Sequence, residues 1–290
     1  MGFFIGNKNK FITLLVCLFA VAMVCFPQVT EAGSKSAIII WANSIVPVLL
    51  PFFIFSDFIK RTGNLEKLPP RVYPFLVAFL SGYPMGAKVT ADLVRSHNLS
   101  PAAARHILSY SLVTGPAFLM GTIGGFLGSR EAAFIVLAAH YAGALINSLL
   151  WQETGAKYIR PVSRSITYDS RQGKLMEHFS ASILAGFKAM AVILAYLMFF
   201  MIGMHLLDRT KLLELVGSET AVSFLKGLLE MTAGCSMIGA CNISVEMKTA
   251  LASVLVSFGG LSVIGQSASM AAGSGRKPVP RQVPSSFPRK

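Results

Sequence analysis

Ser81-Gly82-Tyr83-Pro84-Met85-Gly86 and Ala233-Gly234-Cys235-Ser236-Met237-Ile238 are two short glycine-centred stretches lying about 150 residues apart in a strongly apolar chain. Each follows a hydrophobic run, and each leads through a polar stretch into an apolar segment that is itself broken by glycine. Helix-breaking residues at membrane depth are tolerated only where the backbone is buried in protein or lines a polar cavity. Paired interruptions in two halves of a chain point to a transporter's binding site. The two stretches therefore read as re-entrant or broken helices of a carrier.

Composition sets the class around them. Charged residues make up 13% of the 290 residues and hydrophobic ones 53%, against about 25% charged in a soluble domain. Mean hydropathy is +0.61. Apolar stretches long enough to cross about 30 Å of hydrocarbon recur throughout. This predicts an all-α, polytopic helical membrane protein.

The formal net charge of +13 does not describe a nucleic-acid-binding surface. The basic residues sit in short segments between apolar runs, as cytoplasmic loops require, and no aromatic residues interleave with them to stack bases. Lys8 and Lys10 place the N-terminus in the cytoplasm, and the segments around Lys60–Arg71, Lys88–Arg105 and Lys157–Lys174 fall on the same side. The second break then lies outside, so span, break and span occur twice with opposite orientation. That is the plan of two inverted-topology repeats. The expected organisation is an N-terminal membrane helix over 1–36, a first gate-like repeat over 37–151, a basic cytoplasmic linker over 152–177 and a second repeat over 178–275. The Pro-rich basic tail over 276–290 has no apolar period and reads as the product of a truncation or frameshift.

Several residues carry candidate chemistry. Orphan N–H groups at a helix N-terminus attract anions, so Ser81, Gly82, Tyr83, Pro84 and Gly86, with the Lys88 charge beside them, form a candidate anion site. Close helix packing would also explain the glycines, and Lys88 could simply snorkel to the interface. Thr114-Gly115-Pro116 and Ser257-Phe258-Gly259-Gly260 unwind two spans, which makes Thr114, Gly115, Ser257, Gly259 and Gly260 candidate ligands beside Gly234. Gln266, further along the last span, could donate to a substrate carboxylate or to a neighbouring helix. Glu230 is the acidic group best placed for ion coupling; a solvated helix end is its plainer role. His140, with Asn147 on the same helix face, reads as bundle packing. Four cysteines lie at Cys17, Cys25, Cys235 and Cys241 without metal-ligand spacing. No nucleophile–base pair, phosphate loop, cofactor motif or metal cluster is legible, and no enzyme is expected.

Three segments resemble a known family. Trp41 to Phe53 (WANSIVPVLLPFF), Leu80 to Lys88 (LSGYPMGAK) and Ser257 to Ser267 (SFGGLSVIGQS) resemble the YlbJ-type sporulation integral membrane proteins, of the nucleoside-recognition, or gate, domain group. The likeness runs over about residues 10–275, and members of the family are longer. The resemblance implies a protein of the outer forespore membrane that passes dipicolinic acid, a small aromatic dianion, from mother cell to forespore. It leaves two alternatives: a permease for nucleosides or another small solute, and a non-transporting scaffold for spore assembly that meets other sporulation membrane proteins.

Overall fold

The structure is a computed structural model, and it describes residues 2–61, 68–151, 158 and 172–273. Among these residues every regular element is helical. Five helical stretches are long and apolar enough to cross a membrane: Pro27–Arg61, Pro101–Leu127, Arg130–Leu150, Leu175–Arg209 and Val245–Ala272. The chain is thus an all-α polytopic membrane protein.

Helix α1 (Gly2–Cys25) turns most apolar side chains of its second half outward, with Phe11 61% and Val24 80% exposed, as a lipid-facing helix does. Pro27 opens α2 (Pro27–Ile40), which runs through a π-helical turn at Trp41–Ile45 into α3 (Val46–Arg61). The boundary expected at residue 37 therefore falls inside α2. Gly33 lets α2 settle on the long helix α10 (Gln172–Arg209): a Cβ there would meet Ile202 Cα at 2.8 Å. α10 starts inside the expected linker, whose remaining residues lie outside those described except Tyr158. The tail over 276–290 lies outside them as well.

The two halves repeat one theme. α4 (Tyr73–Ser81) and α5 (Tyr83–Arg95) form a hairpin that turns at Gly82. α11 (Glu219–Leu229) and α12 (Met231–Ala240) form a second, turning at Glu230. At 1.5 Å per residue, α4, α11 and α12 each reach only about 14–17 Å, half of a hydrocarbon core. Chains that enter and return at that depth are re-entrant.

A broken span follows each hairpin. α6 (Pro101–Ser111) is capped by Ser100, whose hydroxyl accepts from Ala103 N–H at 3.1 Å, and Pro101 occupies its first turn. Non-helical backbone over Leu112–Gly115 leads into α7 (Pro116–Phe118), a π turn at Leu119–Ile123 and α8 (Gly124–Leu127). After α9 (Arg130–Leu150) and α10, the second half repeats the pattern. α13 (Val245–Phe258) breaks at Gly259 and Gly260, with φ of 80° and 75°, and resumes as α14 (Gly260–Gly273). The two π turns are tied together where Thr122 donates its hydroxyl proton to the Ser44 carbonyl at 2.7 Å.

The second break is displaced from its expected position. Residues 233–238 are helical, and the chain turns at Glu230 instead. Gly234 is a packing glycine: a Cβ on it would fall 2.1 Å from Gly227 Cα, so the two hairpin arms cross there backbone to backbone. Gly86 plays the same part in the first hairpin, where a Cβ would meet Ala78 Cβ at 2.8 Å and the Ser111 carbonyl oxygen at 2.5 Å.

Candidate functional site

The hairpin tips and the broken spans meet at one place. Gly82 needs the left-handed backbone region (φ 83°, ψ −177°) to end α4 and restart the chain as α5 within one residue. Gly115 lies against this tip, since a Cβ there would sit 3.2 Å from the Phe79 carbonyl oxygen. On the other side, a Cβ on Gly260 would come 3.0 Å from Met231 N and 3.3 Å from the Gly227 carbonyl oxygen, so α14 starts against the second tip. Its neighbour Gly259 faces the Tyr83 ring. The Tyr83 hydroxyl donates to the Val256 carbonyl, which ties the first tip to the last turn of α13.

The unwound backbone around Thr114 is satisfied from α9. Thr114 N–H donates to His140 Nε2 at 3.1 Å, and the Tyr141 hydroxyl donates to the Thr114 carbonyl at 2.7 Å. The His140 ring also packs edge-on to Tyr83, 5.9 Å between centroids. His140 is buried, whereas Asn147 on the same helix is exposed, so only the histidine of that pair enters the bundle. Neither residue type would have been picked for this role from spacing alone. The signal was the buried break itself, whose free N–H and C=O demand partners.

Between these elements lies a cavity of about 50 Å³, room for a few waters. Its polar wall comes from Ser81, Gly82 and Tyr83 of the first tip, Thr114 of the first broken span, Glu230 and Thr232 of the second tip, and Gln266 of α14. Pro84 and Met231 complete the tips. Ile45 closes it from the π turn at Trp41–Ile45, Leu49 and Phe53 from α3, and Ile193 and Leu197 from α10.

The polar groups differ in how far they are satisfied. Glu230 is 2% exposed, and its Oε2 accepts from Ala233 N–H at 2.6 Å, which caps α12. Gln266 Nε2 donates to Ser262 Oγ at 3.0 Å. α5, by contrast, starts with no side-chain cap. The Ser81 hydroxyl is 1% exposed and has no hydrogen-bond partner among the described residues. A buried hydroxyl left without a partner costs about 1–3 kcal/mol, and a ligand that accepts its proton recovers that cost.

The other expected site residues stand outside this wall. Gly115, Gly259 and Gly260 support it through backbone packing, and Gly86 and Gly234 close the hairpins. Lys88 lies further along α5, where the charges acting on it are Lys60, Asp92, Asp57 and Lys188. Ser257 faces outward and is exposed, because α13 is still helical there and its inward face is carried by the buried Leu255 and Val256. Thr232, Met231 and Phe118 were not expected on the lining. Among the described residues, no three His, Cys, Asp or Glu side chains come together to hold a metal ion.

Comparison with known proteins adds one relative. The Bacillus subtilis (strain 168) protein named Sporulation integral membrane protein YlbJ is 22% identical over 309 aligned residues, covering 90% of this chain and 76% of its own length. The chain is thus similar to that protein over nine tenths of its length. No family model matches it, and no solved structure does. The resemblance read from Trp41–Phe53, Leu80–Lys88 and Ser257–Ser267 thus leads to the same relative, and all three segments supply cavity walls.

Proposed function

We propose that this chain is a carrier, not an enzyme, that moves dipicolinate across the outer forespore membrane during sporulation. Its N-terminus is then cytoplasmic and its two hairpin-bearing halves are inverted repeats of the gate type. The observation that carries the reading is the convergence of two re-entrant tips and two broken spans on one buried polar cavity. A structural scaffold has no need of unwound backbone and an unpartnered hydroxyl at bilayer depth, which cost stability. Transporters place their solute there.

Dipicolinate suits the first tip. Its carboxylates accept hydrogen bonds, and they would meet the start of α5, which no side chain caps, and Ser81 Oγ, which has no partner among the described residues. The cavity is smaller than a ring-bearing solute, so the hairpins must part for entry. A sporulation role agrees with the name of the Bacillus subtilis relative. A nucleoside is the competing solute, favoured by one observation: Gln266, Thr114 and Thr232 are neutral hydrogen-bonding groups, and Lys88 is not on the wall.

The test is the dipicolinate content of spores from a strain lacking the gene, complemented with this chain or its variants. Complementation by the chain and its loss in Ser81→Ala support the reading. Unchanged dipicolinate in the deletion strain overturns it. Lys88→Ala separates the solutes, because it lowers dipicolinate transport, by less than Ser81→Ala does, and leaves nucleoside uptake unaffected.

A further inference from the structure

Glu230 is the one cavity-wall feature that an anion carrier should avoid. Its carboxylate is buried, lines the same cavity as Ser81 and Gly82, and is held by backbone N–H of Ala233 and by Thr232. Among the described residues, no basic side chain lies on the cavity wall, and the elements around Glu230 supply none to pair with it. On α11, Lys226 bonds Asp208 at the surface. On α12, Cys235 is a buried free thiol, which carries no positive charge.

On α13, Lys248 donates to the Gly239 carbonyl at the far end of α12, and Glu246 is exposed at that helix's start. The short turn at Leu212–Val216 carries only the exposed Glu214, and α14 and α8 carry no titratable residue. Across the cavity, Tyr83 spends its proton on Val256, and His140 accepts from Thr114. Two negative groups in one small, water-poor space repel strongly, because the interaction is weakly screened there. An anion can occupy the cavity only if the Glu230 charge is removed.

We infer that Glu230 takes up a proton as the anionic solute binds and releases it on the far side, so that solute and proton cross together. This rests on the carrier reading above and adds its energy coupling. The proton comes from the aqueous phase on the loading side and returns to the aqueous phase on the other, and the carboxylate is regenerated in each cycle. Glu230 also caps α12, so protonation weakens the cap of the second tip while the solute fills the uncapped first tip. Loading and loosening are then linked in one cavity.

The test uses the full chain in proteoliposomes with dipicolinate as solute. A pH-sensitive dye and labelled dipicolinate are followed together in the unaltered protein. The expected result is that an imposed pH gradient, acid on the solute side, speeds uptake at least about fivefold over solute exchange, and that dipicolinate influx carries protons inward. A sodium gradient that drives uptake in place of the pH gradient would overturn the inference, as would uptake indifferent to both. In either case exchange of dipicolinate would still uphold the carrier reading. Absence of any exchange would sink both. In Glu230→Gln the ratio of gradient-driven uptake to that variant's own exchange rate is expected to fall to about one, and a retained ratio contradicts the assignment. Should the variant not reach the membrane, the dye measurement on the unaltered chain decides alone.

Discussion

The two re-entrant hairpins have the same build and opposite chemistry at their tips. In both, the arms cross at a glycine four residues past the turn: Gly86 against Ala78 in the first, Gly234 against Gly227 in the second. In the first, Gly82 turns the chain with positive φ and leaves the next helix uncapped beside an unpartnered serine. In the second, Glu230 turns the chain in extended conformation (φ −139°) and closes the helix start with its own carboxylate. One tip is therefore open to an acceptor from outside the chain, and the other is already filled from within. Near-symmetric scaffolding thus supplies two different ends of one cavity.

The arm crossings offer the largest way to break this comparison. Gly234→Ala places a methyl group 2.1 Å from Gly227 Cα, where neither backbone can yield, and is expected to cost at least the ~3 kcal/mol upper end of overpacking. Gly143→Ala, with nothing within 4 Å of the new Cβ, is expected to be neutral or to stabilise α9 by up to about 1 kcal/mol. Yield and melting temperature of the detergent-solubilised protein check both; equal behaviour would mean that the arms do not cross at Gly234.

The tips come next. Gly82→Ala forces a side chain into a region that is essentially glycine's alone and should cost about 1–3 kcal/mol. Glu230→Ala removes a helix cap and should cost about 0.5–2 kcal/mol. Thermal unfolding of the two variants side by side reads the difference, and a milder Gly82→Ala would contradict the backbone account of the first tip. Ser81→Ala runs the other way: removing an unpartnered buried hydroxyl is expected to leave stability unchanged or to raise it, by at most the about 1–3 kcal/mol that its burial costs. Its effect on dipicolinate affinity should be about tenfold, the worth of one hydrogen bond to a charged acceptor. Titration of purified protein would show the two effects part company.

Much of this was legible beforehand, but unevenly. Ser100 and Pro101 announced α6, and Thr114-Gly115-Pro116 and Gly259-Gly260 announced the broken spans, because caps, prolines and positive φ are local properties that the residue types themselves dictate. Gly82 was placed correctly for the same reason. Gly234 was misplaced because glycine has two uses, freeing the backbone and allowing close approach, and the sequence does not say which applies. The better signal was Glu230, three residues ahead of the N–H group it caps, and it also brings the halves closer in spacing: 29 residues separate Glu230 from Gly259, against 33 between Gly82 and Gly115. Ser257 failed for a different reason. It shares a turn with the buried Leu255 and Val256 but points away from them, and which face of α13 turns inward is set by packing against α9 and α12. The holding of Thr114 by His140 and Tyr141 is likewise a long-range contact with no local trace.

The measurement that bears most directly on the shared cavity is ligand protection of single cysteines on opposite tips. Ser81→Cys and Thr232→Cys would be introduced separately into a chain whose exposed Cys17 and Cys25 are replaced by alanine. Both would be labelled with a small thiol reagent as dipicolinate is raised, with Phe134→Cys on the outer face of α9 as control. The account predicts that both tip positions lose labelling at the same half-saturating dipicolinate concentration while the control is unaffected. Protection of one tip alone, or of neither, would contradict the claim that the two hairpins close on a single solute.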